Sequence, residues 1–191
     1  MTKSRLQRVE RVMLEYPSVD LSLFERIADE LAAARIGFAA MLPDDWTSPL
    51  CTVLDRAPEF RAIRVAREPE IIGLCTGCFF TGSLGLGVLG ATGFLACASE
   101  IATLTRRYQI PMVLVVSKRG TLDDHQVFQE VQGRTARPMA DLLGLPSLDL
   151  DSPESLAGIG DLANASRLQK RPGIAWLTKA LIVQSPTAVA S

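Results

Sequence analysis

The sequence predicts an α/β fold of three layers, α/β/α, in which a mostly parallel sheet is covered by helices on both faces. Short apolar segments alternate with longer segments of helical periodicity, and the links between them are short. Strand segments such as 38–42 and 112–117 are apolar almost throughout, which is typical of strands buried on both faces. With 191 residues, the chain is long enough for one domain with a substantial core.

The elements have recognisable start and stop signals. Apolar residues recur at helical spacing from Leu21 to Ala34, and Gly37 ends that pattern. Pro69 favours a helix start because its missing N–H would be unpaired in the first turn in any case. In chain order, the predicted helices are 20–36, 48–56, one that begins at Pro69, 95–108, one that ends at Leu143, and 153–168. The predicted strands are 38–42, one that ends at Val65, 82–90, 112–117, 145–150 and 173–178, with a turn at 91–93.

Two terminal segments are predicted to lie outside the main domain. Residues 1–19 form a charged amphipathic segment, which we interpret as a helical extension, and 185–191 form a disordered tail. The domain itself spans 20–184, because no internal repeat or linker divides it.

Composition excludes several classes of partner. The net charge is −1, and no stripe of Lys and Arg interleaved with aromatic residues is present, so we expect no binding to nucleic acid. The first residues are polar and no apolar run reaches the length of a membrane span, so we expect a soluble, cytoplasmic protein without membrane contact. The four cysteines lie among apolar or small residues and are expected to be reduced core thiols.

Polar side chains follow the carboxyl ends of several predicted strands. Because ligands bind at these ends in an open parallel sheet, their agreement across separate loops predicts a binding site there. The residues concerned are Asp44, Glu68, Thr92, 117–119 and His125.

Glu68 lies where a strand passes into a helix. We expect it at the N-cap, since Pro69 suits the first helical position, and there its carboxylate would lie at the positive end of the helix dipole. Two interpretations are open from the residues alone. Glu68 either faces a ligand or serves as an ordinary cap or ion-pair partner of Arg67.

The other candidates also have two interpretations. His125, in an Asp-rich loop, is either a general acid or a solvated surface residue. Asp44 follows Pro43, where a turn residue is common. Lys118 and Arg119 at a strand end are better placed to hold an anion than to form a structural pair.

Two short motifs are weak indications. The run Gly85-Leu-Gly87-Val-Leu-Gly90 matches the dinucleotide-binding pattern, but its glycines fall inside a predicted strand and no acid follows about twenty residues later. Cys75 and Cys78 have the spacing of a redox or metal pair, but they fall on one face of a predicted helix without a second pair. We therefore interpret both motifs as packing features.

In ordered combination, several segments resemble thiamine diphosphate-dependent decarboxylases. The resemblance covers residues from about 24 to 181. Within this family, the chain more closely resembles the alpha subunit of sulfopyruvate decarboxylase and the amino-terminal domain of phosphonopyruvate decarboxylase. The segments are 42–46, 68–77, 84–108, 110–120, and 132–134 leading to 143–146.

The resemblance implies that 20–184 is a pyrimidine-type domain of the thiamine diphosphate-binding fold. Glu68 occupies the position of the glutamate that hydrogen-bonds the cofactor's aminopyrimidine ring and thereby helps to remove the thiazolium proton. The implied catalytic residues are Glu68 and His125, the cofactor contacts Glu68, Thr92 and Gly93, and the substrate contacts Asp44, Lys118 and Arg119.

A second module is missing from this sequence. Members of the family hold Mg2+ and the diphosphate with a Gly-Asp-Gly start and an asparagine about thirty residues later, and 160–164 only superficially resembles this pattern. The resemblance therefore implies a separate beta subunit, catalysis between chains in a hetero-oligomer, and no activity of this chain alone.

One departure from the family concerns the loop after the third strand. Where these decarboxylases carry Gln-Asn-Ser-Gly-Leu-Gly-Asn, this chain has Gly90-Ala-Thr92-Gly93-Phe-Leu-Ala96. Without those amides, we expect the pocket to be more apolar and to hold a sulfonate or phosphonate less well. The function expected is decarboxylation of a 2-oxo acid, with carboligation as a further outcome. The alternative is a non-catalytic scaffold or regulatory subunit that keeps the fold.

Overall fold

A six-stranded parallel sheet forms the centre of the protein in this computed structural model, which describes residues 21–122, 124 and 126–183. The strands are β1 Phe38–Leu42, β2 Arg61–Arg64, β3 Gly85–Leu89, β4 Val113–Ser117, β5 Ser147–Leu150 and β6 Gly173–Leu177. Their order across the sheet is β2-β1-β3-β4-β6-β5, and every neighbouring pair is parallel. The predicted three-layer α/β/α class is confirmed.

The first helix precedes β1, the last follows β6, and the others connect successive strands. The helices are α1 Ser22–Ala33, α2 Ser48–Arg56, α3 Glu68–Phe80, α4 Ala91–Ala96, α5 Ala98–Glu100, α6 Glu130–Leu142, α7 Gly158–Gln169 and α8 Lys179–Val183, with a π-helical segment over Ile101–Arg106 and 3-10 turns at Val127–Gln129 and Pro153–Ala157. None of these helices is long and apolar enough to cross a lipid bilayer.

The core lies on both faces of the sheet. One cluster packs α1, α2 and α7 against one face, with Phe24, Ile27 and Leu54 fully or almost fully buried. The other packs α3, α4 and α6 against the opposite face. In that cluster the rings of Phe94 and Trp176 meet edge to face, with centroids 5.5 Å apart. The apolar strands are buried by helices on both sides, as their sequences predict.

The chain reverses its winding direction between β1 and β3. It passes from β1 to β2 on one side and then returns to place β3 on the other side of β1. The ends of β1 and β3 are neighbours, since Leu42 and Leu89 are register partners. In open α/β sheets, such a switch point leaves a crevice at the carboxyl ends of the strands.

The structure differs from the sequence-based elements in two places near this crevice. The third helix begins at Glu68 and Arg67 is its N-cap, so Glu68 is the first helical residue and not the cap. Residues 91–93 are the first turn of α4 and not a separate turn.

The predicted helix 95–108 is interrupted. Its second half becomes π-helical, and the hydroxyls of Thr103 and Thr105 donate to the carbonyls of Ser99 and Ile101 at 2.7 and 2.8 Å. Hydroxyls that bond carbonyls four residues back often distort a helix. The predicted extension 1–19 and tail 185–191 lie outside the described residues.

Candidate functional site

The Glu68 carboxylate has no hydrogen-bond or ion-pair partner in the described part of the chain. Capping of α3 falls to Glu70, whose Oε2 accepts from the backbone N–H groups of Ala66 at 3.0 Å and Arg67 at 3.2 Å. The interpretation of Glu68 as a cap or as a partner of Arg67 is therefore wrong. A half-buried carboxylate at the start of a helix, without a partner in the chain, is available to accept a hydrogen bond from a ligand.

Gly93 lies directly against Glu68. A Cβ built on Gly93 would be 2.5 Å from Glu68 Cγ and 2.9 Å from its Oε1, so this position in α4 tolerates no side chain without movement of Glu68. Gly93 is buried, whereas the neighbouring Thr92 is exposed. The structure thus brings Glu68 and Gly93 together at the switch point, with Thr92 next to Gly93 in the chain.

Asp44 is a structural junction at the end of β1. Its Oδ1 accepts from the hydroxyl of Thr47 at 2.9 Å and from the Thr47 backbone N–H at 3.1 Å. Its Oδ2 accepts from the buried Ser117 hydroxyl at 2.5 Å, and Ser117 Oγ in turn accepts from the Ala91 N–H at 3.1 Å. The ends of β1 and β4 and the start of α4 are thereby tied together.

Arg119 is the centre of a second network and is only 1% exposed at its side chain. Its guanidinium contacts Asp45 at 2.6 Å, both oxygens of Asp124 at 2.8 and 3.1 Å, and Gln126 at 2.5 Å. It also stacks on Trp46, with Cζ 4.2 Å from the ring centroid.

The Asp124 carboxylate is held strongly in its charged form. The hydrogen bond from Arg119 lowers the pKa of Asp124 to about 2, with further lowering by the N–H groups of Gly120 and Gln126, although burial acts in the opposite direction. The loop after β4 is therefore fastened to its own strand by a buried ion pair.

Lys118 and Arg119 were expected to hold an anion and not to form ion pairs within the protein. Both form such ion pairs. Lys118 Nζ is 2.8 Å from Asp149 Oδ2, and Arg119 is saturated by Asp45, Asp124 and Gln126. Lys118 and Arg119 are the first two residues after β4, whereas Asp149 lies in β5 and Asp45 in the loop after β1, and neither of those strands is adjacent to β4 in the sheet. Sequence spacing gave no sign of these partners, because Asp149 lies 31 positions away from Lys118.

His125 lies outside the described residues, so the structure does not relate it to Glu68. Sequence analysis missed the role of Ser117 in joining Asp44 to α4. A serine directly after a run of four buried apolar residues was the available signal, because a hydroxyl buried at a strand end needs a partner.

The two weak motifs have packing roles. Gly85–Leu89 is β3 itself, and a Cβ on Gly87 would lie 2.6 Å from both Ile71 and Leu114. Cys75 is buried and Cys78 half-buried in α3, and all four cysteines are free thiols. Burial raises the pKa of each of them. The described residues contain no group of three or more His, Cys, Asp or Glu side chains arranged to hold a metal ion.

A large groove among the described residues lies elsewhere. It has a volume of about 1120 Å3 and lies at the opposite, amino edge of the sheet, between the end of α1, the end of α3 and α7. Its walls include Arg35, Tyr108 and Lys170, but neither Glu68 nor any other predicted site residue. We base the candidate site on its side-chain chemistry and its place at the switch point.

Comparisons with known proteins support one family. No family model matches the chain. Three relatives named sulfopyruvate decarboxylase subunit alpha align with it: 26% identity in Methanocaldococcus jannaschii, 28% in Methanothermobacter thermautotrophicus and 22% in Methanococcus maripaludis. The alignments cover 67%, 70% and 68% of this chain and 76%, 81% and 78% of the relatives. The resemblance drawn from the sequence is confirmed.

A solved structure shares the fold. It is the 2-oxoglutarate:ferredoxin oxidoreductase from Magnetococcus marinus, with 2-oxoglutarate, coenzyme A and succinyl-CoA bound. The TM-score is 0.60 at 12% identity, over 84% of this chain. The match covers only 29% of that larger chain, so the likeness concerns only part of it.

Proposed function

We propose that this chain is the alpha, pyrimidine-binding subunit of a two-chain thiamine diphosphate-dependent enzyme that decarboxylates a 2-oxo acid. Substrates that resemble sulfopyruvate or phosphonopyruvate are the ones we expect. The observation that carries the proposal is the Glu68 carboxylate, which is free of partners in the described chain and packs against Gly93. The names of the three relatives support the reaction class.

The residues fit the pyrimidine half of the cofactor. A ring nitrogen needs a hydrogen-bond partner that can share a proton, and the free Glu68 carboxylate supplies one. Gly93 has no side chain that would displace Glu68. Thr92, next to Gly93 in the chain, adds an exposed hydroxyl. When bound, thiamine diphosphate supplies a carbon nucleophile and an electron sink for the loss of carbon dioxide from a 2-oxo acid.

In this proposal Glu68 holds and exchanges a proton with the aminopyrimidine ring. A glutamine would keep the shape but could not accept and return that proton. His125 would act as a second proton donor or acceptor during catalysis. Lys118, Arg119 and Asp44 would form the substrate side of the crevice, with Asp44 and Arg119 as its rigid frame and Lys118 sharing its charge between Asp149 and the substrate.

The diphosphate and Mg2+ belong, in this proposal, to a beta subunit, and the active enzyme is a hetero-oligomer. The relatives are named as alpha subunits, which supports a partner of this kind. The four free thiols favour a reducing compartment, and we place the protein in the cytoplasm.

A second candidate function is a scaffold or regulatory subunit without catalysis. One observation favours it. The run 90–96 carries no amide side chain, and its members Ala91 and Phe94 are buried in the core instead of facing a ligand. The free carboxylate of Glu68 argues against this candidate, because a subunit without catalysis needs no unpartnered carboxylate at the start of α3.

Co-expression with the adjacent gene provides the test. The purified complex is assayed for carbon dioxide release from a panel of 2-oxo acids with thiamine diphosphate and Mg2+, and the products are analysed for aldehydes and for carboligated ketones. Calorimetry with and without the partner measures cofactor binding. Turnover that needs both chains supports the proposal, whereas a complex that binds no thiamine diphosphate favours the scaffold.

A further inference from the structure

A groove of about 370 Å3 runs between α1 and α2, in the helical layer on the opposite face of the sheet from α3. Its α1 wall extends from Leu21 to Ala32, so the groove follows almost the whole helix. Much of the wall is apolar, and its apolar side chains are buried or half-buried: Leu21, Ala28, Ala32, Val53, Ala57 and Phe60. The groove therefore offers an apolar surface along one helix.

The charged residues of this groove are mostly acidic. Glu25, Asp29 and Glu59 line it together with a single cation, Arg56. All three carboxylates are exposed, and none has a hydrogen-bond or ion-pair partner among the residues that the structure describes. An apolar groove edged by unpaired carboxylates suits an amphipathic helix that carries basic side chains.

The segment that precedes Leu21 in the chain has this complementary chemistry. Residues 1–20 lie outside the described part of the structure. Within 1–16 the sequence has two carboxylates, at Glu10 and Glu15, and four cations, which are Lys3, Arg5, Arg8 and Arg11. Apolar and aromatic residues recur there at the spacing of one helix face, at Leu6, Val9, Met13 and Tyr16.

The length of the segment also fits the groove. Pro17 would end a helix at Tyr16, which leaves four residues before Leu21. Antiparallel helices are often joined by loops of about two to five residues. A helix over 3–16 would be about 21 Å long, close to the length of about 18 Å for the 12 residues of α1.

The groove at the amino edge of the sheet does not suit this segment. Its described walls carry three cations, Arg35, Arg167 and Lys170, and one carboxylate, Glu30, so the basic side chains of the segment would be repelled. That groove also lies at the far end of α1 from Leu21. Leu21 itself lines the groove between α1 and α2, so the attached segment is held there at a high effective concentration.

We propose that residues 3–16 dock as a helix into the groove between α1 and α2 of the same chain, antiparallel to α1. Leu6, Val9 and Met13 contact the apolar wall. The cations that flank this face of the helix, Lys3, Arg5 and Arg8, lie near the three carboxylates. This docking does not rest on the proposed function, and it leaves the Glu68 crevice and the layer of α3, α4 and α6 open to a partner subunit.

Hydrogen exchange of the purified full chain, followed by mass spectrometry, tests the docking. The reference is a synthetic peptide of residues 1–20, because an isolated helix of this length is only marginally stable in water. We expect the amides of 4–16 to exchange at least about tenfold more slowly in the chain than in the peptide. Equal exchange in the two would overturn the proposal.

Two matched pairs of variants locate the contact. Val9→Asp places a charge on the apolar face and should abolish the protection, whereas Gln7→Asp adds the same charge away from that face and should keep it. Asp29→Lys reverses a carboxylate of the groove and should lower the protection by at least about threefold. Its control Asp161→Lys reverses an exposed carboxylate of α7 outside the groove and should have no effect. Protection that is unchanged in Val9→Asp or in Asp29→Lys would overturn this place of docking.

The dependence on protein concentration shows which chain supplies the segment. Docking within one chain predicts the same protection at every concentration, and the same mass in light scattering for the wild type and Val9→Asp. Protection that rises with concentration, together with a dimer that Val9→Asp abolishes, would show that the groove holds the segment of a second copy. That result would overturn docking within the chain.

Discussion

Gly93 and Glu68 are in such close contact that a methyl group on Gly93 would lie 2.5 Å from Glu68 Cγ. The two residues come from different helices, α4 and α3, which follow β3 and β2, the strands on either side of β1. The absence of a side chain at position 93 therefore decides where the Glu68 carboxylate can lie.

Gly93→Ala should displace Glu68 and reduce thiamine diphosphate binding and activity of the assembled complex by at least about tenfold, because small misplacement of a catalytic group is costly. The control is Gly73→Ala in α3, where a Cβ meets nothing within 4 Å and helix propensity improves by up to about 1 kcal/mol. Steady-state kinetics and calorimetry check both. Full activity of Gly93→Ala would contradict the close packing of Glu68.

Ser117→Ala should destabilise the crevice, because it removes the hydroxyl that joins Asp44 to the Ala91 N–H. The buried Ala91 N–H loses its partner and the half-buried Asp44 carboxylate loses one of its donors, and we expect a loss of about 1–3 kcal/mol in the free energy of unfolding, measured with urea. The control is Thr52→Ala. Its hydroxyl donates to a half-buried carbonyl one helical turn earlier, so the loss in the free energy of unfolding should be clearly smaller. Equal stability of Ser117→Ala and the wild type would show that this junction is unimportant.

Acid should weaken the fold through Asp124. The folded-state pKa of about 2 lies below the ordinary value of 3.8, so the unfolded chain binds the proton more readily and stability falls as the pH falls. This contribution, about 2 kcal/mol, is complete above pH 4 and is lost as the pH approaches 2. Urea unfolding at several pH values should show this loss in the wild type but not in Asp124→Asn. The control Asp55→Asn, which removes the carboxylate of an exposed ion pair, should behave like the wild type.

The thiols should react slowly in the folded protein. Burial raises the pKa of Cys51 and Cys97 to about 12 and also raises that of Cys75 and Cys78. Since the thiolate is the reactive form, a disulfide reagent at neutral pH should modify Cys78 first, because it alone is partly exposed. Denaturant should expose all four. Rapid labelling of Cys75 in the native state would contradict its place in the core.

The sequence was sufficient to predict the sheet and its helical layers. Buried strands are apolar and their helices carry periodic patterns, so the parallel α/β/α class follows from local composition, as β3 and β4 illustrate. Glu68 and Asp44 were predicted to follow strand ends, because the order of the elements along the sequence shows which residues follow each strand. The partners of Lys118 and Arg119 were not predicted, because Asp149 and Asp45 are brought to them by strand order, which periodicity does not reveal.

Helix boundaries near the site were shifted by one to four residues. The capping role went to Glu70 and not to Glu68, since a glutamate three positions after the cap can fold back to the backbone N–H groups of the cap region. That shift changes the chemistry, because it frees Glu68. In the π-helical segment after α5 a threonine hydroxyl bonds a carbonyl of the same helix, and the pattern of apolar residues does not report such bonds.

In the proposed function Glu68 acts on the cofactor and Glu70 only caps α3. The most direct measurement is kcat of the assembled complex for Glu68→Gln and Glu70→Gln side by side. We predict a loss of about 10²-fold or more for Glu68→Gln, the contribution of a lost acid-base group, with an unchanged unfolding midpoint. Glu70→Gln should keep most activity, because glutamine accepts the same N–H bonds. Undiminished kcat in Glu68→Gln would show that Glu68 takes no part in the reaction.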